Sequence, residues 1–291
     1  MNNSLLIKST LLLALVAFLL APFTFLKPTL TVEPVSVEST KAEVKSSKTI
    51  VKKNIEKPLH QVTLPDFAEI RDVKTKKQHF FDFLRPSIVR ENNKLLAQRA
   101  KLELWLEKIS LGSSLSDEEL NTLQSLVKKY RVNKKASGLQ QVNDLLLRVD
   151  IVPAALVLVQ AANESAWGTS RFSRIGLNFF GIWCYRQGCG MVPNGRNTGA
   201  KHEVAAFKSV DTAVERYFYN INSHNAYRVF RTIRLELRSQ NQPLNPEILA
   251  TGLLAYSERG ADYVIDITKM LRQNKPYLQD RPLKVDSAIA D

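Results

Sequence analysis

Glu164 is the residue of this sequence that is best placed for proton-transfer chemistry. It follows the run Pro153–Ala162, which is almost entirely apolar and is predicted to form a buried helix that ends at Ala166-Trp167-Gly168. Burial and the negative end of a helix dipole both disfavour an ionised carboxylate, so we expect the pKa of Glu164 to be raised. A carboxylic acid that keeps its proton near neutrality can serve as a general acid. The alternative is that Asn163-Glu164-Ser165 is only the solvated end of a core helix.

Two short motifs at and after Glu164 favour the general-acid interpretation over a solvated helix end. Glu164–Gly168 reads ESAWG, and Asn178–Ile182 reads NFFGI. Together they resemble the E-S-x-W-G and N-L/F-F-G patterns of the bacterial peptidoglycan N-acetylglucosaminidases of glycoside hydrolase family 73. The segments Trp183–Gly190 and Tyr256–Gly260 extend the resemblance, which covers about residues 139 to 279.

The resemblance implies a fold, an activity and a substrate. The expected fold is α+β and mostly helical, a lysozyme-like domain with a small β lobe, preceded by a helical N-terminal region and a membrane anchor. The expected activity is cleavage of the β-1,4 bond after N-acetylglucosamine in peptidoglycan glycan strands, with Glu164 as the acid. No metal and no organic cofactor is implied.

Glycoside cleavage usually employs a second carboxylate. The candidates are Glu203, Asp211 and Glu215. Glu203 is chosen because it lies in a predicted strand, His202–Phe207, where the resemblance places its β lobe. Asp211 and Glu215 fall at the start of the next predicted helix. The alternative to Glu203 is that the 2-acetamido oxygen of the substrate acts as the nucleophile.

The family has a tyrosine beside the acid, and the resemblance assigns that place to Tyr263, with Tyr256 as second choice. Aromatic residues at helical spacing are more often core than ligand, and Trp167 has packing at the helix end as its alternative. The predicted substrate-binding residues are Tyr263, Tyr256, Trp167, Asn178, Phe180 and Trp183.

The cysteines Cys184 and Cys189 are predicted to form a disulfide. A zinc site needs about four ligands, and the sequence offers neither a third cysteine nor paired histidines nearby. Two close cysteines outside the cytoplasm normally pair, and Gly188 and Gly190 allow the tight turn that this requires.

The formal net charge of +13 indicates an anionic partner. Nucleic acid is excluded as the preferred partner because no nucleic-acid-binding motif accompanies the charge. The run Ser9–Leu26 lacks charged residues and would be about 27 Å long as a helix, so it is predicted to anchor the protein in the bacterial inner membrane, facing the periplasm. Release into the periplasm after signal cleavage is the alternative.

Composition, together with the extent of the resemblance, divides the chain into five segments. They are a membrane anchor or signal segment (1–27), a flexible tether (28–60), a helical accessory region (61–138), the glucosaminidase-like catalytic domain (139–279) and a tail (280–291). His79–Phe83 is predicted to dock the accessory region on the catalytic domain, and Asp150 to cap the helix that starts near Pro153.

Helical periodicity and end signals give the remaining elements. The predicted helices are 89–109, one after the capping box of Ser116 and Glu119, 139–149, 170–175, 211–223, 226–239, 246–256 and 261–273. Residues 181–201 are predicted to be irregular.

Two other functions remain open at this stage. One is a muramidase or lytic transglycosylase, because both reactions can use a single acidic glutamate in the same fold. The other is a non-catalytic wall-binding scaffold, against which the presence of a carboxyl group at the end of an apolar helix argues.

Overall fold

The computed structural model describes residues 56–196 and 199–279, and helices dominate these ranges. In chain order the α-helices are α1 (Val73–Ser110), α2 (Asp117–Lys129), α3 (Gly138–Arg148), α4 (Ala154–Ser165), α5 (Arg171–Gly176), α6 (Val210–Ser223), α7 (Arg228–Ser239), α8 (Pro246–Ala250), α9 (Ala261–Gln273) and α10 (Lys275–Leu278). Two 3₁₀ helices, Asn225–Tyr227 and Thr251–Tyr256, precede α7 and follow α8.

A small antiparallel sheet completes the fold and confirms the α+β, mostly helical prediction. Its strands are β1 (Trp183–Cys184), β2 (Gly190–Met191) and β3 (Glu203–Ala205), with β3 in the centre. Trp183 pairs with Val204, and Gly190 pairs with Ala205. The predicted strand His202–Phe207 is therefore present but shorter, while β1 and β2 lie in the stretch that was predicted to be irregular.

Helix α4 lies at the centre of the core. Seven consecutive residues, Leu156–Ala162, are fully buried, as their nearly uniform apolarity predicts. Helices α1 and α9 both pack against α4. The position of α4 is thus fixed from two sides before its last residues reach the surface.

Aromatic contacts join α1 to the segment that follows α4. The rings of Phe80 and Phe81 lie 5.7 and 5.2 Å from Trp167, and Phe83 lies 6.1 Å from Phe179. Such ring pairs add to the burial of apolar area. The predicted packing role of His79–Phe83 is confirmed, and the segment lies within α1, which begins earlier than the predicted helix 89–109.

Asp150 is not a helix cap, and that prediction was wrong. The cap position of α4 is Pro153, with no side-chain cap hydrogen bond. Asp150 is instead buried in an arginine cluster: Arg238 donates to its carboxylate at 2.8 and 3.1 Å, and Arg99 and Arg234 lie within 4 Å. Burial acts to raise the pKa of Asp150, but the charges of Arg234, Arg99 and Arg238 outweigh it and lower the pKa.

The described residues all belong to one compact unit. Within them no helix combines the length and apolarity needed to cross a bilayer. The predicted anchor Ser9–Leu26 lies outside the described residues, as do most of the tether and the tail. The boundary at 138/139 stays a prediction.

Asp150→Asn should destabilise the protein by about 3–5 kcal/mol, because it leaves buried guanidinium groups without their counter-charge. The pKa of Asp150 is lowered on folding, so its stabilising contribution is present above the unfolded pKa and is lost as the pH falls through the folded value. Chemical denaturation at neutral and acidic pH measures the loss. Asp144→Asn is the control, since that carboxylate accepts a hydrogen bond from Gln140 near the surface. Equal stability of the two variants at neutral pH would contradict the role of Asp150.

Candidate active site

The residues after Glu164 end helix α4. Ala166 adopts the left-handed conformation, with φ 49°. The Ser165 hydroxyl donates to the Ala161 carbonyl at 2.6 Å and accepts from the Gly168 N–H at 2.9 Å. A Cβ at Gly168 would lie 2.5 Å from the Phe67 ring, so only glycine fits there.

Among the ESAWG residues, Ser165 and Gly168 thus have structural roles, and Glu164 has the side chain that can transfer a proton. Trp167, a predicted substrate ligand, packs its ring against Phe80 and Phe81 and does not line the cleft described below. The position of Trp167 agrees with the alternative prediction, that its ring packs at the end of the helix.

The Glu164 carboxyl group is half-buried and has polar neighbours on several sides. Asn163 donates to its Oε1 atom at 3.2 Å, and the Tyr263 hydroxyl, as a nearby donor, acts to lower the pKa of the carboxyl group. Burial raises the pKa of Glu164, and this effect outweighs the opposing effects of Asn163, Tyr263 and the charge of Arg259. The raised pKa that the sequence predicts is therefore found.

A buried hydrogen-bond chain orients Tyr263 toward the acid. The Gln160 amide donates to the Tyr263 oxygen at 2.8 Å, and the Tyr217 hydroxyl donates to the Gln160 carbonyl at 2.6 Å. Because Gln160 occupies an acceptor position of the Tyr263 oxygen, the Tyr263 proton is available for Glu164. Ionised Glu164 would thus receive a hydrogen bond from a fixed donor.

The tyrosines around Glu164 hold their own protons firmly. Burial raises the pKa of Tyr227 to about 12, and the negative charge of Glu164 adds to the effect. Burial likewise raises the pKa values of Tyr217, Tyr256 and Tyr263, again with a contribution from Glu164. Glu164 is therefore the member of this group that ionises first as the pH rises.

A surface cleft of about 930 Å³ adjoins the acid. A Cβ at Gly181, a residue of the cleft wall, would lie 3.4 Å from Glu164 Oε2. The exposed Trp183 indole is stacked on His202 at 4.1 Å and lines the cleft. The lining includes three predicted ligands, Phe180, Trp183 and Tyr256.

Phe180 and Tyr256 also build the cleft wall. Phe180 is buried and stacked on Tyr217 at 4.4 Å, and the Tyr256 hydroxyl donates to the Phe180 carbonyl at 2.8 Å. Tyr256 is stacked on Tyr263 at 5.5 Å, which connects the wall to the partner of Glu164.

Asn178, another predicted ligand, is buried and does not line the cleft. Its side-chain amide donates to the carbonyls of Ile182 and Ala205, both at 2.8 Å, and accepts from the N–H groups of Phe180 and Ile182. Asn178 therefore links the turn Asn178–Ile182, which contains Gly181, to the end of β3.

Glu203, the predicted second carboxylate, is buried, and its two oxygens accept from the N–H groups of Gly188 at 3.0 Å and Gly190 at 2.9 Å. These two hydrogen bonds lower its pKa. Glu203 does not line the cleft, and its catalytic role stays a prediction. The other two candidates are in surface ion pairs, Asp211 with Arg90 and Glu215 with Lys94.

The predicted disulfide between Cys184 and Cys189 is confirmed. The disulfide closes the loop Cys184–Cys189, and Glu203 accepts hydrogen bonds from backbone N–H groups in this loop and directly after it. Among the described residues, Cys184, Cys189 and Glu203 form a group with the proximity of metal ligands, but both sulfur atoms are used by the disulfide.

Comparison with known proteins agrees with this geometry. The glucosaminidase family, described as mannosyl-glycoprotein endo-beta-N-acetylglucosaminidase, matches residues 139–276. The chain is also 31% identical over 215 residues to Protein bax of Escherichia coli (strain K12), covering 73% of this chain and 75% of that protein. This chain belongs to the Bax-like glucosaminidase-domain proteins. No solved structure matches it. Membership supports a glycosidase that acts on glycans.

Sequence reasoning did not name Gln160 or Tyr217 as residues of the site. The signal for Gln160 was available, because a glutamine four residues before Glu164 lies on the same helix face in an otherwise apolar run. No local signal could show that Tyr217, which lies on α6, reaches the same amide.

Glu164→Gln should change the pH dependence of stability. The pKa of Glu164 is raised on folding, so the native state binds its proton more tightly, and wild-type stability falls as the pH rises from the unfolded value through the folded value. The glutamine variant lacks this loss, so its melting temperature relative to wild type should increase across that window. Thermal unfolding between acidic and neutral pH measures it, with Glu107→Gln, at an exposed position of α1, as control. A constant difference between variant and wild type would show that the pKa of Glu164 is not raised.

Proposed function

We propose that this protein is a peptidoglycan hydrolase, an endo-β-N-acetylglucosaminidase that cleaves the β-1,4 bond after N-acetylglucosamine. The observation that carries the proposal is a carboxyl group with a raised pKa that lies directly behind Gly181, a residue in the wall of a cleft that also presents an exposed indole. General acid catalysis needs the former, and an aromatic face is a suitable surface for a sugar ring. Family membership supports the glycan as substrate.

In the first step Glu164 gives its proton to the glycosidic oxygen while the bond from that oxygen to the anomeric carbon breaks. The resulting Glu164 carboxylate accepts the Tyr263 hydrogen bond, which the Gln160 amide orients. This hydrogen bond is stronger to the charged form, so it favours the state that follows proton transfer.

The nucleophile is proposed to come from the substrate. Both oxygens of Glu203 are engaged by backbone N–H groups, whereas the sugar carries its acetamido group on the ring carbon next to the reacting carbon, so that the acetamido oxygen can reach that carbon by closing a five-membered ring. Its attack gives a cyclic oxazolinium ion. Water then adds at the anomeric carbon, loses a proton to the Glu164 carboxylate, and restores both the acetamido group and the acid.

Two further proposals concern the arrangement of the fold and the location of the protein. We propose a lysozyme-like arrangement, in which the cleft lies between the helical lobe and the small sheet, because β1 and α6 both contribute lining residues.

We also propose that residues 9–26 anchor the protein in the inner membrane with the catalytic domain in the periplasm. Full-length protein in the membrane fraction is expected, and a mature N-terminus beyond residue 26 would contradict the anchor.

Digestion of purified sacculi tests the activity. Wild-type protein should release fragments with N-acetylglucosamine at the reducing end, identified by mass spectrometry. Glu164→Gln should lower turnover by about 10²–10⁴-fold, since the amide cannot deliver a proton, while Glu107→Gln should not. Reducing-end muramic acid or anhydro-muramic acid would establish a muramidase or a lytic transglycosylase instead, and the absence of product would contradict the hydrolase.

Glu203→Gln separates the two nucleophile assignments. If the acetamido group acts, this variant should lose less activity than Glu164→Gln, and its main defect should be faster proteolysis of the loop that contains Gly188 and Gly190. A loss as large as that of Glu164→Gln, with unchanged loop proteolysis, would assign the second catalytic role to Glu203.

A further inference from the structure

Three arginines line the cleft without any carboxylate partner among residues 56–196 and 199–279. They are Arg131, Arg186 and Arg216, and all three are exposed. Outside the cleft some of the described exposed arginines are paired, such as Arg90 with Asp211 and Arg272 with Glu247, and others are not. What distinguishes the cleft is that three guanidinium groups without a carboxylate partner among the described residues line the same concave surface, and the proposed chemistry at Glu164 does not use them.

The fold holds two of these arginines on the helical side of the cleft. The Arg216 guanidinium lies over the Tyr219 ring, 5.2 Å from its centroid. Tyr130 lies 6.4 Å from Tyr219, and Arg131 follows Tyr130 directly at the end of α2. Arg131 and Arg216 thus share one rim, hereafter the arginine rim. A cation on an aromatic face loses less freedom when it binds an anion.

Arg186 belongs to the opposite side, inside the loop that the disulfide closes. Its carbonyl accepts from the Cys189 N–H at 3.1 Å, which fixes its backbone. Among the described lining residues Glu258 is the one carboxylate. With three guanidinium groups and one carboxylate, the described lining has a net positive charge, which favours the binding of an anion.

A neutral amino-sugar polymer would leave these guanidinium groups without partners. The glycan of peptidoglycan carries peptides, and their free carboxylates match the planar fork of arginine. We propose that the arginine rim binds carboxylates of the peptide substituent, so that the cleft selects peptide-bearing glycan strands over neutral or peptide-free ones. This inference rests on the proposed function for the identity of the polymer.

The test uses binding, so that it does not depend on cleavage. Sacculi are prepared in three forms: native, with their carboxylates converted to methylamides, and stripped of peptides by an amidase. Stripping exposes the lactyl carboxylate on each muramic acid, so the third form distinguishes that carboxylate from those of the peptide. Co-sedimentation with each form is measured for Glu164→Gln and for the same protein with Arg131→Gln and Arg216→Gln added.

The control adds Arg90→Gln and Arg272→Gln to Glu164→Gln instead, and it removes the same net charge outside the cleft. The rim substitutions should weaken binding to native sacculi about tenfold more than the control, since each exposed charge pair contributes up to about 1 kcal/mol. On methylamide and stripped sacculi the two proteins should bind equally. The difference on native sacculi should shrink as salt rises.

Equal binding of the rim and control proteins to native sacculi would overturn the inference. So would a rim defect that persists on methylamide sacculi, because the arginines would then contact neutral groups. A defect that persists on stripped sacculi would assign the ligand to the lactyl carboxylate and overturn the peptide assignment. Failure of the hydrolase proposal is a separate result, since it would appear as the absence of product while the binding differences remain.

Discussion

The structure depends on one constraint, which is that a carboxyl group must lie at the end of a buried, mostly apolar helix without becoming fully hydrated. Helix α4 is buried over Leu156–Ala162, and burial is the largest influence on the pKa of Glu164. The neighbouring Tyr263 keeps its own proton and accepts from Gln160, so its proton is available to the ionised acid. Burial favours the protonated form before reaction, and the Tyr263 hydrogen bond favours the ionised form after it. The same pair of opposing effects makes Glu164 suitable both as an acid and as the base that completes turnover.

The sequence predicted what depends on local pattern. Helix α9 has the predicted bounds, and α3 differs from its prediction by one residue at each end. The ESAWG motif located the acid because its other residues have demanding local tasks: Ser165 caps the carbonyl end of α4, and Gly168 fits against Phe67 where a side chain would not. The helical region before residue 139 is also found, although α1 starts at Val73, ahead of the predicted position. Burial of Phe80, Phe81 and Leu84 holds that first part of the helix in place despite Pro86.

What the sequence could not predict depends on distant partners. Asp150 resembles a cap from its neighbours alone, and its arginine partners come from α1 and α7. The predicted helix 246–256 is instead α8 followed by a 3₁₀ helix, in which Gly252 lies against the Phe230 backbone, where a Cβ would be 2.4 Å away. Asn178 carried the family pattern but holds a turn, and Glu203 holds the disulfide loop. Motifs thus marked which residues matter around the cleft, while only the three-dimensional contacts show which of them support the site and which face it.

The protonation state of Glu164 is the central claim, and a carboxyl-carbon NMR titration of the native protein measures it most directly. Glutamates labelled with ¹³C at the side-chain carboxyl are followed with pH, and the Glu164 signal is assigned by its absence in Glu164→Gln. The account predicts a pKa above the ordinary glutamate value of about 4.3. In Tyr263→Phe the pKa should rise further, because the hydrogen bond from Tyr263 favours the charged form. A Glu164 signal that titrates at or below the ordinary value would contradict the account.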